Sequence, residues 1–522
     1  MDAMKRNNFV SSITTSVLGL ALISLAACSS GESTPTTGTP APGGSAALQG
    51  AIVFVNNTGD RTLTSVALRG DTGNFVLNTL GAASAPNTPG AFDGKALGDM
   101  QFSEGEWLFV NTSGINDGQN NNQNVGTKVA AIDPFNAATP IFRTNLTTAV
   151  RPVHIYRDPT DGEVIWSMND AVTLNTTTPG DDTINCNVPN RAGGPVEGGS
   201  VTIIHNSHLG PGASNPEIKA TVCLLADGHK VAAFSQPTAT DATILRRAFV
   251  SSETAGEIAV IDNEPASNPR YQLIRRIDLC NPSRQTCDQE NPVGTTLFTP
   301  NSSAPHGIRW SQVSGKVYSI QEGYNEIAEI DPTTFAVTPK FDLTGTSYTS
   351  IGISPDGRFL LLRGETTAPA QATKLGVIDL SLASPVRTDF TIPELNGTSP
   401  GSFKFSPDGR RFYILAGNGA TATKKNRLFA FDASTLAAAV PSLTLLREIV
   451  LADTGAHSFD VLALGSGEAK YIAVSNSTDN SLSIINAANN LVTETIQNVG
   501  ALPGSVLIYH RGAAETNNQA SS

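Results

Sequence analysis

Histidine is scarce in this chain, with seven among 522 residues. Four of the seven open short apolar runs in the same way. They are His154 in RPVHI, His229 in DGHKV, His306 in APHGI and His457 in GAHSF. Acids recur where the following apolar run ends: Asp170, Glu253, Glu322 and Glu365. Neutral imidazoles supply borderline nitrogen ligands, and a carboxylate behind a ring fixes its orientation through the other nitrogen. If these histidines converge, they suit zinc, copper or iron, and an open coordination position would allow hydrolytic or redox chemistry. The expected ligands are His154, His229, His306 and Glu322, with Asp170, Glu253, Glu365 and His457 around them. Ser314 lies midway between His306 and Glu322 inside an apparent turn, so those two residues should face each other across a hairpin. The same residues could instead form a hydrogen-bonded polar ring with structural or ligand-binding work only.

The remaining reactive types point less clearly. His205 and His208, in HNSH, sit in a polar insertion and read as a solvated loop, and His510 reads as structural. Trp107, Trp166 and Trp310 lie on apolar runs and read as packing residues. Asp356 and Asp408 precede glycines and read as turn formers. No P-loop, GxGxxG or CxxC motif is present.

The elements that would position the histidines are visible as a repeat from about residue 50. Short alternating runs end in small polar residues: IVFVNN, WLFVNT, VIWSMND, AFVSSE, KVYSIQE, FLLLRGE, FYILAGN and YIAVSNS. Each is followed by a partner, several ending at Asp, such as KVAAIDP, EIAVIDN, EIAEIDP and LGVIDL. Asp-Gly turns precede two of them, in ISPDGR and FSPDGRR, where glycine accepts positive φ. Period-2 alternation repeated about every 45–55 residues predicts the four-stranded blades of an all-β propeller. The count is eight, or seven if one segment is an insertion. Leu502–Tyr509 reads as an opening strand without followers, and the run from Ile52 as a blade without its opener, so the two should pair and close the ring.

The text of these repeats resembles the YVTN-type propeller family, with its SPDG, YVTN and V-VID segments, over most of residues 50–510. That resemblance implies the fold and leaves function open, because such propellers host many activities. A histidine at a PHGI-type blade start is common in that family, where it often only hydrogen-bonds within the blade edge. A related propeller family hydrolyses sugar lactones, but its catalytic residues do not map onto this sequence.

The N-terminus carries an address. Lys5 and Arg6 precede the apolar run Val17–Ala27, which is short for a membrane span and right for a signal-peptide core. It ends in Leu25-Ala26-Ala27-Cys28, which resembles the bacterial lipobox. The resemblance implies cleavage after residue 27 and a lipid on Cys28. Ser29-Ser30 lacks the aspartate that retains enterobacterial lipoproteins at the inner membrane, which implies the outer membrane, on its periplasmic or surface side. Residues 28–49 form a Ser/Thr/Pro/Gly tether, 50–511 the propeller and 512–522 a disordered tail. Four further cysteines, Cys186, Cys223, Cys280 and Cys287, make an even set in an exported chain and suggest two disulfides. Three pairings are possible, and Cys186–Cys223 with Cys280–Cys287 is preferred, since the latter closes a short loop.

Composition bounds the partners. A net charge of −12 without any basic run argues against nucleic acid and anionic lipid. Three functions follow. The first is a membrane-anchored propeller displaying loops 171–200 and 280–303 to a protein or small-molecule ligand. The second is a metal-binding propeller with redox or hydrolytic activity at the histidines, and the third a lactonase-like hydrolase. An interaction module predicts an exposed apolar or aromatic patch on the loops.

Overall fold

The computed structural model describes residues 51–68, 75–80, 92, 96–112, 126–134, 141–149, 151–170, 186–188, 196–209, 214–226, 228–287, 299–346, 348–364, 373–417, 423–452, 455–463 and 467–509. All lie within the larger of the chain's two compact units, Ser45–Ser522. The expected signal peptide, lipidated Cys28, tether and tail, together with Glu365 and His510, fall outside them.

The described residues form eight four-stranded antiparallel sheets, each the blade of a β-propeller, and one two-stranded ribbon. Blades 2 to 8 begin with the strands Met100–Phe102, Pro152–Arg157, Ala232–Ser235, Pro305–Ser311, Tyr348–Ile353, Ser399–Phe405 and Ala456–Ala463. Blade 1 is composite. Its innermost strand, Pro503–Tyr509, pairs antiparallel with Ala51–Asn57, matching Ile52 with Tyr509 and Phe54 with Leu507. This is the closure expected from the two incomplete terminal repeats.

The alternation that marks the repeat has a packing cause. Second strands are buried on both faces: Leu108–Thr112, Val164–Asn169 and Phe359–Gly364 have no exposed residue. Fourth strands such as Thr444–Val450 alternate toward solvent. Successive blades therefore press apolar faces together, as where Trp166, Phe234, Phe249 and Trp310 share one cluster across blades 3, 4 and 5. Trp107, Trp166 and Trp310 are all buried there or in the neighbouring cluster. Asp356 and Asp408 hold their turns by accepting the backbone N–H groups of Arg358 and Arg410, with Gly357 and Gly409 at positive φ.

Both preferred disulfides are present. Cys186–Cys223 ties the insertion within blade 3 to the end of its fourth strand, and Cys280–Cys287 closes the loop after blade 4.

Candidate metal centre

First strands all start on one face of the disc, and second strands end there. The start of the first strand is also where the ladder breaks. In blade 3 the register jumps between Pro152 and Ile155, so Val153 and His154 oppose one residue on the partner strand. Similar shifts enclose His306 between Pro305 and Gly307, Thr349 between Tyr348 and Ser350, and His457 between Ala456 and Phe459. On the closing strand the shift spans Gly504 and Ser505. A bulge bends the strand and re-aims a side chain, here over the channel mouth. In blades 2 and 4 the equivalent residues, Asp99 and His229, precede the paired strand.

The rings meet at this mouth. Nε2 of His154 lies 2.9 Å from Nε2 of His229, with ring centroids 4.7 Å apart. The His306 ring is 5.6 Å from that of His229. Each histidine has a carboxylate on its Nδ1. Asp99 Oδ2 is 2.6 Å from His154, Asp170 Oδ2 is 2.8 Å from His229, and Glu322 Oε1 is 3.0 Å from His306. The Thr349 carbonyl oxygen lies 3.3 Å from the same His306 nitrogen. The second oxygens of the two aspartates are also engaged: Ser505 Oγ donates to Asp99 at 3.0 Å, and the Lys230 N–H to Asp170 at 3.0 Å.

Two of the carboxylate pairings cross blades. Asp170, at the end of a blade 3 strand, holds the histidine of blade 4. His154 is held by Asp99 of blade 2, which the sequence reading missed. A signal was available: Gly98-Asp99 and Gly504-Ser505 occupy the blade-opening position that Pro305-His306 occupies. Glu322 stands behind His306, in the same buttressing role as the aspartates. Glu253 is half-buried at the rim, with its N–H donating to the His229 carbonyl at 3.1 Å. His457 lies on the first strand of blade 8, and nothing is described of its side chain. His205 and His208 lie at the opposite end of blade 3, where their Nε2 atoms are 3.5 and 3.2 Å from the Glu163 carboxylate.

The protonation pattern follows from these contacts. Burial would raise both aspartates, but the charge and hydrogen bond of His154 hold Asp99 below its ordinary value, and those of His229 do so for Asp170. Ionised carboxylates only accept, so both Nδ1 atoms must carry hydrogen. The two Nε2 atoms then approach to 2.9 Å, a separation that a shared proton or cation accommodates. A proton fits at 2.9 Å. Burial opposes charge on His154, yet Asp99 outweighs it and the ring is raised; at His229 burial wins and the ring is lowered. The two shifts favour His154 over His229 as the charged ring. His306 is raised, chiefly by its hydrogen bond to Glu322.

Among the described residues, no three His, Cys, Asp or Glu side chains already stand as a preformed metal-ligand set. Two imidazole nitrogens do converge. Bonds of about 2.0–2.1 Å at tetrahedral angles place two nitrogens about 3.3 Å apart, so an opening of a few tenths of an ångström would admit an ion.

No protein-family model and no curated protein sequence matches the chain. Solved structures do. The AztD protein of Citrobacter koseri is similar at 13% identity and a TM-score of 0.50, with 90% of this chain and 99% of that one covered. The dihydro-heme d1 dehydrogenase NirN is similar at 11% identity and 0.50, covering 88% and 75%. The periplasmic gluconolactonase of Pseudomonas aeruginosa is similar at 16% and 0.45, covering 73% and 94%. At these identities the likeness is one of fold.

The display loops of the interaction-module reading fall largely outside the described residues. None of the exposed large apolar side chains among those described, including Val386 and Val440, is aromatic.

Proposed function

We propose that this chain is a lipid-anchored propeller that binds a transition-metal ion at its channel mouth. His154 and His229 are the first ligands and His306 joins them. The observation that carries this reading is the 2.9 Å approach of two Nε2 atoms whose Nδ1 atoms are both fixed on carboxylates. Such an arrangement sets tautomer and orientation before a metal arrives, as carboxylates do behind metal-bound histidines. The lipobox-like Cys28 and the tether support a position on the outer membrane.

The test is elemental analysis of the purified chain after export and after reconstitution with zinc, copper and iron. It compares wild type with a His154→Ala/His229→Ala double variant. The reading expects about one metal per chain, lost in the variant. A wild type that takes up no metal under any of these conditions overturns it.

A further inference from the structure

Four carboxylates reach the rim near the three histidines, and they are not equivalent. Asp99 and Asp170 are each engaged through both oxygens, and Glu322 is committed to His306. Glu253 alone of the four makes no side-chain hydrogen bond or ion pair among the described residues. Its own N–H donates to the His229 carbonyl, which sets its backbone beside that of the second ligand. It is also close enough to His306 for its charge to act on that ring. A half-buried carboxylate with no side-chain partner among the described residues, beside two candidate ligands, is placed to share a cation.

We infer that Glu253 is the anionic ligand of the mouth site, and that it fits the site to a divalent ion such as zinc rather than to Cu(I). This inference rests on the proposed metal site. A carboxylate oxygen with two or three imidazoles matches a borderline divalent ion, whereas Cu(I) favours soft sulfur donors and gains little from carboxylate. The three rotatable bonds of glutamate let the side chain swing in once the ion is held by the histidine pair.

The test measures Zn2+ affinity by competition with a chromophoric chelator and Cu+ affinity with a Cu+-specific one. Wild type is compared with Glu253→Gln. The expected result is a loss of about tenfold or more for Zn2+, with Cu+ unchanged within about twofold. In addition, Glu253→Cys loaded with Co2+ should show a sulfur-to-cobalt charge-transfer band absent from wild type. Wild-type zinc affinity in Glu253→Gln together with no such band overturns the role of Glu253 and leaves the histidine site standing. Absence of binding in wild type instead overturns the metal reading itself.

Discussion

Asp99→Asn isolates the carboxylate that holds His154. The amide oxygen can still accept the Nδ1–H, so the ring keeps a partner while losing the charge 2.6 Å away. That charge is what overcomes burial at His154, and without it the ring's pKa should fall. Two consequences separate cleanly. Removing a carboxylate behind a metal-bound histidine weakens metal binding by about 10- to 100-fold, or about 1.4–2.7 kcal/mol. A proton shared between the two Nε2 atoms must leave when a metal enters, because ligands bind deprotonated. Wild type should thus release up to about one proton from this pair near pH 6.5, the ordinary histidine value, and Asp99→Asn fewer. Zinc titration calorimetry in two buffers of different ionisation enthalpy reads affinity and proton count together. Unchanged affinity with an unchanged proton count would refute the shared-proton argument.

Three further outcomes test the scaffold. Arg276 and Glu257 form a buried two-pronged ion pair between the third and fourth strands of blade 4; Glu257→Ala, which takes the carboxylate away from the buried guanidinium, should cost about 3–5 kcal/mol in chemical denaturation. Burial would raise Asp331, but its hydrogen bonds from Lys316, Thr333 and Thr334 depress it to about 2. A depressed carboxyl stabilises the fold above its unfolded value near 4 and loses that contribution as pH falls through 2. The Asp331→Asn deficit, on the order of 1 kcal/mol after solvent screening, should appear at pH 7 and vanish near pH 2 in parallel melts. The two disulfides span 37 and 7 residues, so loop entropy predicts about 4 kcal/mol for Cys186–Cys223 and about 2.5 kcal/mol for Cys280–Cys287. Melts of the paired Cys→Ala variants should rank in that order.

The blades were legible because their signals are local. Alternation, Asp-Gly turns and the incomplete first and last repeats each report on neighbours along the chain, and together they gave eight blades and their closure. The facing of His306 and Glu322 was legible for the same reason, since one hairpin contains both. The cross-blade partners were not. Asp170 meets His229, and Asp99 meets His154, only because successive sheets twist past one another, and no spacing within a repeat encodes that angle. Asp99 and Ser505 hold the blade-opening position with residue types other than histidine, so a histidine pattern does not include them. The bulge that turns these side chains inward shows only in the pairing register.

The composite blade pairs a strand near one end of the described residues, Pro503–Tyr509, with one near the other, Ala51–Asn57. Ser505 reaches Asp99 only when Pro503–Tyr509 has docked beside Ala51–Asn57. A chain cut short before residue 503 would lack that strand and leave a bare sheet edge, a template for aggregation. The mouth would also lose the hydroxyl that steadies the buttress of its first ligand. If the mouth binds metal as proposed, metal retention would then report whether the composite blade has closed.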